Sequence, residues 1–94
     1  PALPGISTLL HRLRGVLVAR QYVLVDYDVE KSRLEAATRI TPGIESPTVS
    51  PLHDPDWVAV RAMVPRADTN HVMDELYAVG ARAILVTAIH AARI

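Results

Sequence analysis

The 94-residue sequence predicts an α+β domain built on an antiparallel sheet, and three observations lead to this fold. Four segments alternate apolar and polar residues, as half-buried strands do, and three others repeat apolar residues every three or four positions, as amphipathic helices do. After the first helix the order is strand, helix, strand, strand, helix, strand. The second strand carries two prolines, Pro47 and Pro51, which lack N–H donors and therefore favour a sheet edge. Together these features predict a ferredoxin-like βαββαβ fold, preceded by an N-terminal helix, with strands in the spatial order four-one-three-two.

The N-terminal helix is predicted from an apolar face with helical spacing. This face comprises Ile6, Leu9, Leu10, Leu13, Val16 and Leu17. We expect the helix to start after Pro4-Gly5, with Ser7 or Thr8 as its cap. Because the chain begins at Pro1 rather than Met, we interpret it as a fragment or a processed product.

The remaining elements follow from changes in the apolar period. The predicted strands span residues 21–29, 47–52, 57–64 and 81–89, and the later helices span 30–40 and 68–79. Pro42-Gly43 forms a turn, and Gly80 stands where a left-handed helix cap belongs. Valine-rich sides of the strands are expected to meet the helices.

The opposite sheet face is covered by neither of the two later helices. It is expected to be a partner surface for another copy, another domain or the N-terminal helix. Its predicted residues are Leu24, Asp26, Asp28, Trp57, Ala59, Arg61, Met63, Ala83, Leu85, Thr87 and Ile89. Arg61 needs a partner or solvent on a central strand, and Asp26 across the strands is the expected one. Asp26 and Asp28 could together bind a cation; alternatively one pairs with Arg61 and Asp28 caps the next helix.

Composition excludes several classes of function. Ten basic and ten acidic residues give a formal net charge of zero, so nucleic-acid binding has no electrostatic signature. There is no cysteine, no apolar run long enough to span a membrane, no phosphate-binding glycine motif, and no histidine pair with metal-ligand spacing. We therefore predict no nucleic-acid or membrane partner, no metal or cofactor in this chain, and no catalysis by the chain alone.

Several runs are distinctive enough to suggest a family. They are 40–48 (ITPGIESPT), 25–28 (VDYD), 54–61 (DPDWVAVR) and 73–76 (MDEL). The set resembles the C-terminal regulatory domain of long-form ATP phosphoribosyltransferase over residues 18–94. That family implies feedback inhibition of the first step of L-histidine biosynthesis, a cytoplasmic location and a hexameric assembly. It also implies that catalysis and Mg²⁺ belong to upstream domains. Residues 1–19 would be the remnant of the connection to the catalytic part, and residues 20–94 the ferredoxin-like regulatory domain.

The resemblance also implies five L-histidine contacts. Asp28 would bind the ligand's ammonium group, and the Thr48 hydroxyl would bond a polar atom. Ile44 and Met63 stand where the family often has Leu, and both keep the apolar character. Ala83 is the small residue that opens the last strand.

The predicted topology puts Asp28 and Ala83 at one end of the sheet and Met63 and Thr48 at the other. Strands of about eight residues are roughly 25 Å long, which one amino acid cannot bridge. We therefore expect a pocket shared by neighbouring chains in a head-to-tail homo-oligomer that uses the open sheet face. Two alternatives stay open: an ACT-type or PII-like small-molecule sensor, and a purely structural oligomerisation domain.

Overall fold

The computed structural model describes residues 4–94 and contains three helices and four strands in this range. The helices are α1 (Pro4–Gln21), α2 (Leu34–Ile40) and α3 (Thr69–Ala78). The strands are β1 (Tyr22–Glu30), β2 (Thr48–Pro51), β3 (Trp57–Pro65) and β4 (Arg82–Ala88). Short 3₁₀ turns, Lys31–Arg33 and Arg66–Asp68, precede α2 and α3. Within the described range, no helix is both long and apolar enough to cross a lipid bilayer.

The sheet has the order β2-β3-β1-β4, and β1 pairs antiparallel with both β3 and β4. This order confirms the predicted α+β ferredoxin-like fold and places β2, with its two flanking prolines, at an edge. Burial alternates along β1: residues 23, 25, 27 and 29 are all at most 3% exposed, and residues 22, 24, 26 and 28 are half-buried. The buried side of β3 is formed in the same way by residues 58, 60, 62 and 64.

The core lies between this valine-rich side and the two later helices. Ala37 of α2 and Leu76 of α3 are fully buried there, together with Ala81. Tyr27 brings a hydroxyl into this core, and it lies 2.8 Å from the Thr41 hydroxyl, which is also fully buried. Gly80 has a φ of +98° and ends α3 in the left-handed conformation, as expected for a helix cap.

Helix α1 forms as predicted but begins earlier, and its apolar face is exposed. It starts at Pro4 rather than after Gly5, so the proposed caps Ser7 and Thr8 lie inside the helix. Its apolar face is exposed rather than buried, with Leu9, Leu10 and Leu17 each more than half exposed. The buried residues of α1, Gly15 and Val18, both lie in its C-terminal half.

The contact between α1 and the domain is made through a glycine. Gly15 is buried, and a Cβ at this position would approach the Ala92 carbonyl oxygen to 2.1 Å. Val18, one turn further on, is 9% exposed, and the Arg66 side chain donates to the Arg20 carbonyl oxygen at 2.9 Å. The C-terminal segment therefore lies against α1 at a point where only glycine fits.

Candidate functional site

Three of the five predicted ligand contacts come together at one cleft. Ile44, Thr48 and Met63 all line a cleft of about 370 Å³ on the open side of the sheet. The Pro42-Gly43 turn, with Gly43 at a φ of +73°, returns the chain from α2 so that Ile44 precedes the edge strand β2. Arg61, Arg93 and Ile94 also line the cleft. The cleft thus has apolar walls, two guanidinium groups and the carboxylate of Glu45.

The other two predicted contacts, Asp28 and Ala83, lie elsewhere. Asp28 lies opposite Ala59 on β3 and opposite Arg82 on β4, so Ala83 is its neighbour across the sheet. Met63 lies opposite Leu24, four residues before Asp28 on β1. At about 3.3 Å per residue, the two groups are separated by roughly 13 Å along the strands.

Thr48 does not lie at the far end of the sheet, as predicted, but in its middle. It pairs with Arg61, which pairs in turn with Asp26, only two residues from Asp28 on β1. Strand β2 begins at Thr48, opposite Arg61, and therefore does not extend to the position opposite Met63. The separation of Asp28 from Met63 is accordingly about half of the strand length used in the prediction, yet still several residue lengths.

An ion pair stands between the two groups of residues. The Arg61 Nε donates to Asp26 Oδ1 at 2.8 Å, directly across the strands, which confirms the predicted pair. The hydrogen bond and negative charge of Asp26 raise the pKa of Arg61. Because both side chains are partly exposed, the pair adds little stability, but it removes Asp26 as a free carboxylate.

Asp28 is a half-buried carboxylate of this face, whereas Glu30, on the same side of β1, is exposed. Within residues 4–94 the Asp28 side chain has neither a hydrogen bond nor an ion pair. The predicted role as a helix cap is wrong: the turn after β1 is capped by Glu30 and α2 by Arg33, both without a side-chain bond. Asp28 lies inside β1 and faces away from the helices, so it cannot reach their N–H groups.

The model of the family described as HisG, C-terminal domain, matches residues 19–91. The chain belongs to this family. The predicted resemblance is thereby confirmed at the level of the family.

Relatives of this HisG C-terminal domain carry the name ATP phosphoribosyltransferase. The protein of Arthrobacter sp. (strain FB24) is 67% identical over 89 residues, and that of Streptomyces coelicolor is 60% identical over 91 residues. The matches cover 95% and 97% of this chain but only 31% and 32% of the relatives. The HisG C-terminal domain therefore spans about a third of the length of the curated relatives it matches.

The magnesium ion that the resemblance assigns to upstream domains has no ligand set here. Among residues 4–94, no three His, Asp or Glu side chains converge closely enough to hold a metal ion. Asp26 is engaged by Arg61, and Asp28 alone offers too few oxygens. The described residues of the HisG C-terminal domain thus offer no ligand set for this ion.

Sequence reasoning missed a bulge in β4. Between Asp26 and Asp28 the register moves two residues on β1 but three on β4, from Leu85 to Arg82. Ala83 lies in the bulge with a φ of +52°, in the left-handed region that favours glycine. The bulge interrupts the alternation of β4 and brings Arg82 directly opposite Asp28. Alanine gives no signal for such a bulge, whereas a glycine would have done.

The left-handed backbone conformation of Ala83 is expected to lower the stability of the domain, and this can be tested. In the left-handed region an alanine costs about 1 kcal/mol or more relative to glycine, partly offset by the greater freedom of glycine in the unfolded chain. We expect Ala83→Gly to raise the free energy of unfolding by up to about 1 kcal/mol in urea denaturation. Ala88→Gly, in the regular part of β4, is the matched control and is expected to destabilise. Equal loss of stability in both variants would contradict the left-handed assignment.

Proposed function

We propose that this chain is the regulatory domain of an ATP phosphoribosyltransferase and binds L-histidine, the end product of the pathway that this cytoplasmic enzyme opens. Catalysis and magnesium would belong to the remainder of the enzyme. The observation that carries the proposal is Asp28, a half-buried carboxylate with no partner in the described range. A carboxylate in this state is suited to accept charge-assisted hydrogen bonds from a ligand ammonium group.

In the proposed site, the cleft at Ile44, Thr48 and Met63 would bind the part of the ligand that Asp28 does not contact. Its apolar walls suit the faces of an imidazole ring, and the Thr48 hydroxyl can donate to or accept from a ring nitrogen. Ala83, beside Asp28, leaves room for the ligand because it ends at Cβ.

The separation of these groups supports a site shared between copies of the chain. One amino acid does not span roughly 13 Å of sheet with the Asp26–Arg61 pair in between. In the proposed assembly, Asp28 and Ala83 of one protomer face Ile44, Thr48 and Met63 of the next, a head-to-tail arrangement that can close into a ring. A hexamer is the proposed closed form.

Ligand at such a seam would act by linkage. Histidine binds only where two protomers meet, so it favours the assembly in which the seam is closed over the assembly in which it is open. The same coupling requires that assembly raise the affinity for histidine. Feedback inhibition then follows if the closed assembly is the less active one.

The test is to measure the heat of ligand binding and the molar mass of the assembly on the same sample. We expect L-histidine to give saturable heat on titration into the chain and to raise its mass in light scattering. The matched controls are L-alanine, L-glutamine and AMP. At about 100 times its Kd the true ligand adds about 2.7 kcal/mol to the free energy of unfolding.

Other outcomes would favour the alternatives. A response to a different amino acid or to a nucleotide would favour an ACT-type or PII-like sensor. A stable oligomer that none of these compounds alters would favour a purely structural oligomerisation domain. Either result would contradict histidine sensing.

A further inference from the structure

The C-terminal segment, residues 89–94, lies between helix α1 and the cleft on the open side of the sheet. Two of its residues, Arg93 and Ile94, line that cleft together with three of the predicted ligand contacts. Residues 89–93 also line a groove whose other wall is the C-terminal half of α1. Because Arg93 belongs to both the groove and the cleft, a displacement of the segment from α1 also changes the wall of the cleft.

Gly15 sets how closely α1 and the C-terminal segment approach each other. It is buried, and a Cβ at this position would overlap the Ala92 carbonyl oxygen. The same Cβ would lie 3.4 Å from Arg93 Nη1. A long side chain can turn away from such an overlap, whereas a backbone carbonyl moves only with its segment. Any side chain at position 15 therefore separates the helix from residues 92–93.

Packing rather than regular hydrogen bonding holds the C-terminal segment in place. Residues 89–94 belong to no helix or strand. Arg93 Nη1 donates to the Ala92 carbonyl oxygen at 3.0 Å, a bond that lies within the segment. Ala92, at the contact with Gly15, is half-buried, whereas the residues on either side of it are exposed. A stretch without a hydrogen-bonded ladder follows the surface against which it packs, and here that surface includes α1.

We propose that Gly15 is a positioning residue for the candidate ligand cleft, because it lets the segment lie directly on α1 and so places Arg93 and Ile94 at the cleft wall. The orientation of α1 and the affinity of the cleft for its ligand are then linked. Since linkage is reciprocal, a ligand in the cleft favours the orientation of α1 in which this contact is closed. The identity of the ligand rests on the proposed function, whereas the positioning of the cleft wall does not.

The experiment introduces one methyl group at the contact. Gly15→Ala adds a Cβ against the Ala92 carbonyl, and Gly5→Ala is the matched control, because a Cβ there meets no atom within 4 Å. Both glycines lie in α1, and alanine favours a helix more than glycine does, so the helix persists in both variants. Each variant is made in the full chain. Gly15→Ala is also made in a shortened chain that ends at Ala91 and so lacks the overlapping carbonyl.

Two readouts are taken from every form. The first is the chemical shift of the methyl groups of Ile44 and Met63, which line the cleft, with Met73 on α3 as an internal reference. This readout needs no ligand. The second is the Kd for L-histidine by calorimetry.

In the full chain we expect Gly15→Ala to shift the methyl signals of Ile44 and Met63 and to leave that of Met73 unchanged. L-Histidine should bind about fivefold or more weakly, which is the lower end of the usual range for linked sites. Gly5→Ala should match wild type in both readouts. In the shortened chain, Gly15→Ala should change neither readout relative to its own parent, because the carbonyl that the methyl group displaces is absent.

Three results would overturn the proposal: unchanged methyl signals in Gly15→Ala, equal changes in Gly5→Ala, or an effect of Gly15→Ala that persists in the shortened chain. Shifted methyl signals with an unchanged Kd would overturn the linkage between α1 and the ligand. If the signals shift as expected but wild type gives no heat with L-histidine, the proposed function fails and the positioning role of Gly15 stands. The two failures are therefore distinguishable.

Discussion

Replacing Tyr27 with alanine is expected to lower the free energy of unfolding by about 3–5 kcal/mol. Tyr27 is 1% exposed and belongs to β1, which pairs with two strands at the centre of the sheet. Loss of the ring leaves a cavity in a core that a domain of this size cannot rebuild. Since small domains are stable by only about 5–15 kcal/mol, the variant should lose a large part of its free energy of unfolding.

Denaturation in urea measures this change, with Tyr77→Ala as the matched control. Tyr77 is 61% exposed, and its replacement should cost less than about 1 kcal/mol. Similar losses in the two variants would contradict the assignment of Tyr27 to the core.

The Tyr27 hydroxyl also makes the free energy of unfolding depend on pH. Burial raises the pKa of Tyr27 above its ordinary value of about 10, and the hydrogen bond with Thr41 offsets part of this increase. Above about pH 10 the phenol ionises first in the unfolded chain, so the free energy of unfolding falls as the pH rises. The fall ends once the pH exceeds the pKa of Tyr27 in the folded state. In Tyr27→Phe the free energy of unfolding should be about 1 kcal/mol lower at neutral pH and should fall less steeply above pH 10. Parallel pH profiles for the two proteins would contradict this linkage.

The largest expected effect on binding is that of Asp28→Asn. The amide keeps the size of the side chain but loses its charge, and a hydrogen bond to a charged group contributes about 1.5–3 kcal/mol. We therefore expect L-histidine to bind about 10- to 150-fold more weakly in calorimetry. Stability should change little, because Asp28 has no partner to lose within the described residues.

Asp74→Asn is the matched control for this experiment. Asp74 is an exposed carboxylate on α3, which packs on the opposite face of the sheet, so the same chemical change there should leave the Kd unaltered. Wild-type affinity in Asp28→Asn would exclude this carboxylate from the site, whatever the ligand.

Local patterns were sufficient to predict most of the fold. Alternation along β1 and β3 identifies the buried valines, and Pro47 and Pro51 identify the edge strand, because neither depends on distant parts of the chain. The Asp26–Arg61 pair was also predictable, since a charge on a central strand requires a partner.

The remaining features depend on information that the local pattern lacks. The spacing of apolar residues in α1 predicts an amphipathic helix, but it does not tell whether other residues of this chain cover the apolar face. The left-handed Ala83 has no signal in the sequence, so neither the bulge nor the position of Arg82 could be predicted. Of the site, the sequence placed Asp28 and Met63 apart on the open face, but the short length of β2 moved Thr48 to the middle row.

The junction of α1 and β1 has a mechanical consequence. Gln21 ends the helix and Tyr22 begins the strand with no loop between them, and the Arg66–Arg20 bond braces the joint. An 18-residue helix is about 27 Å long, so a 10° tilt of the sheet carries the far tip of the helix by about 5 Å. A small rotation of the sheet would therefore be amplified at the distant end of the helix.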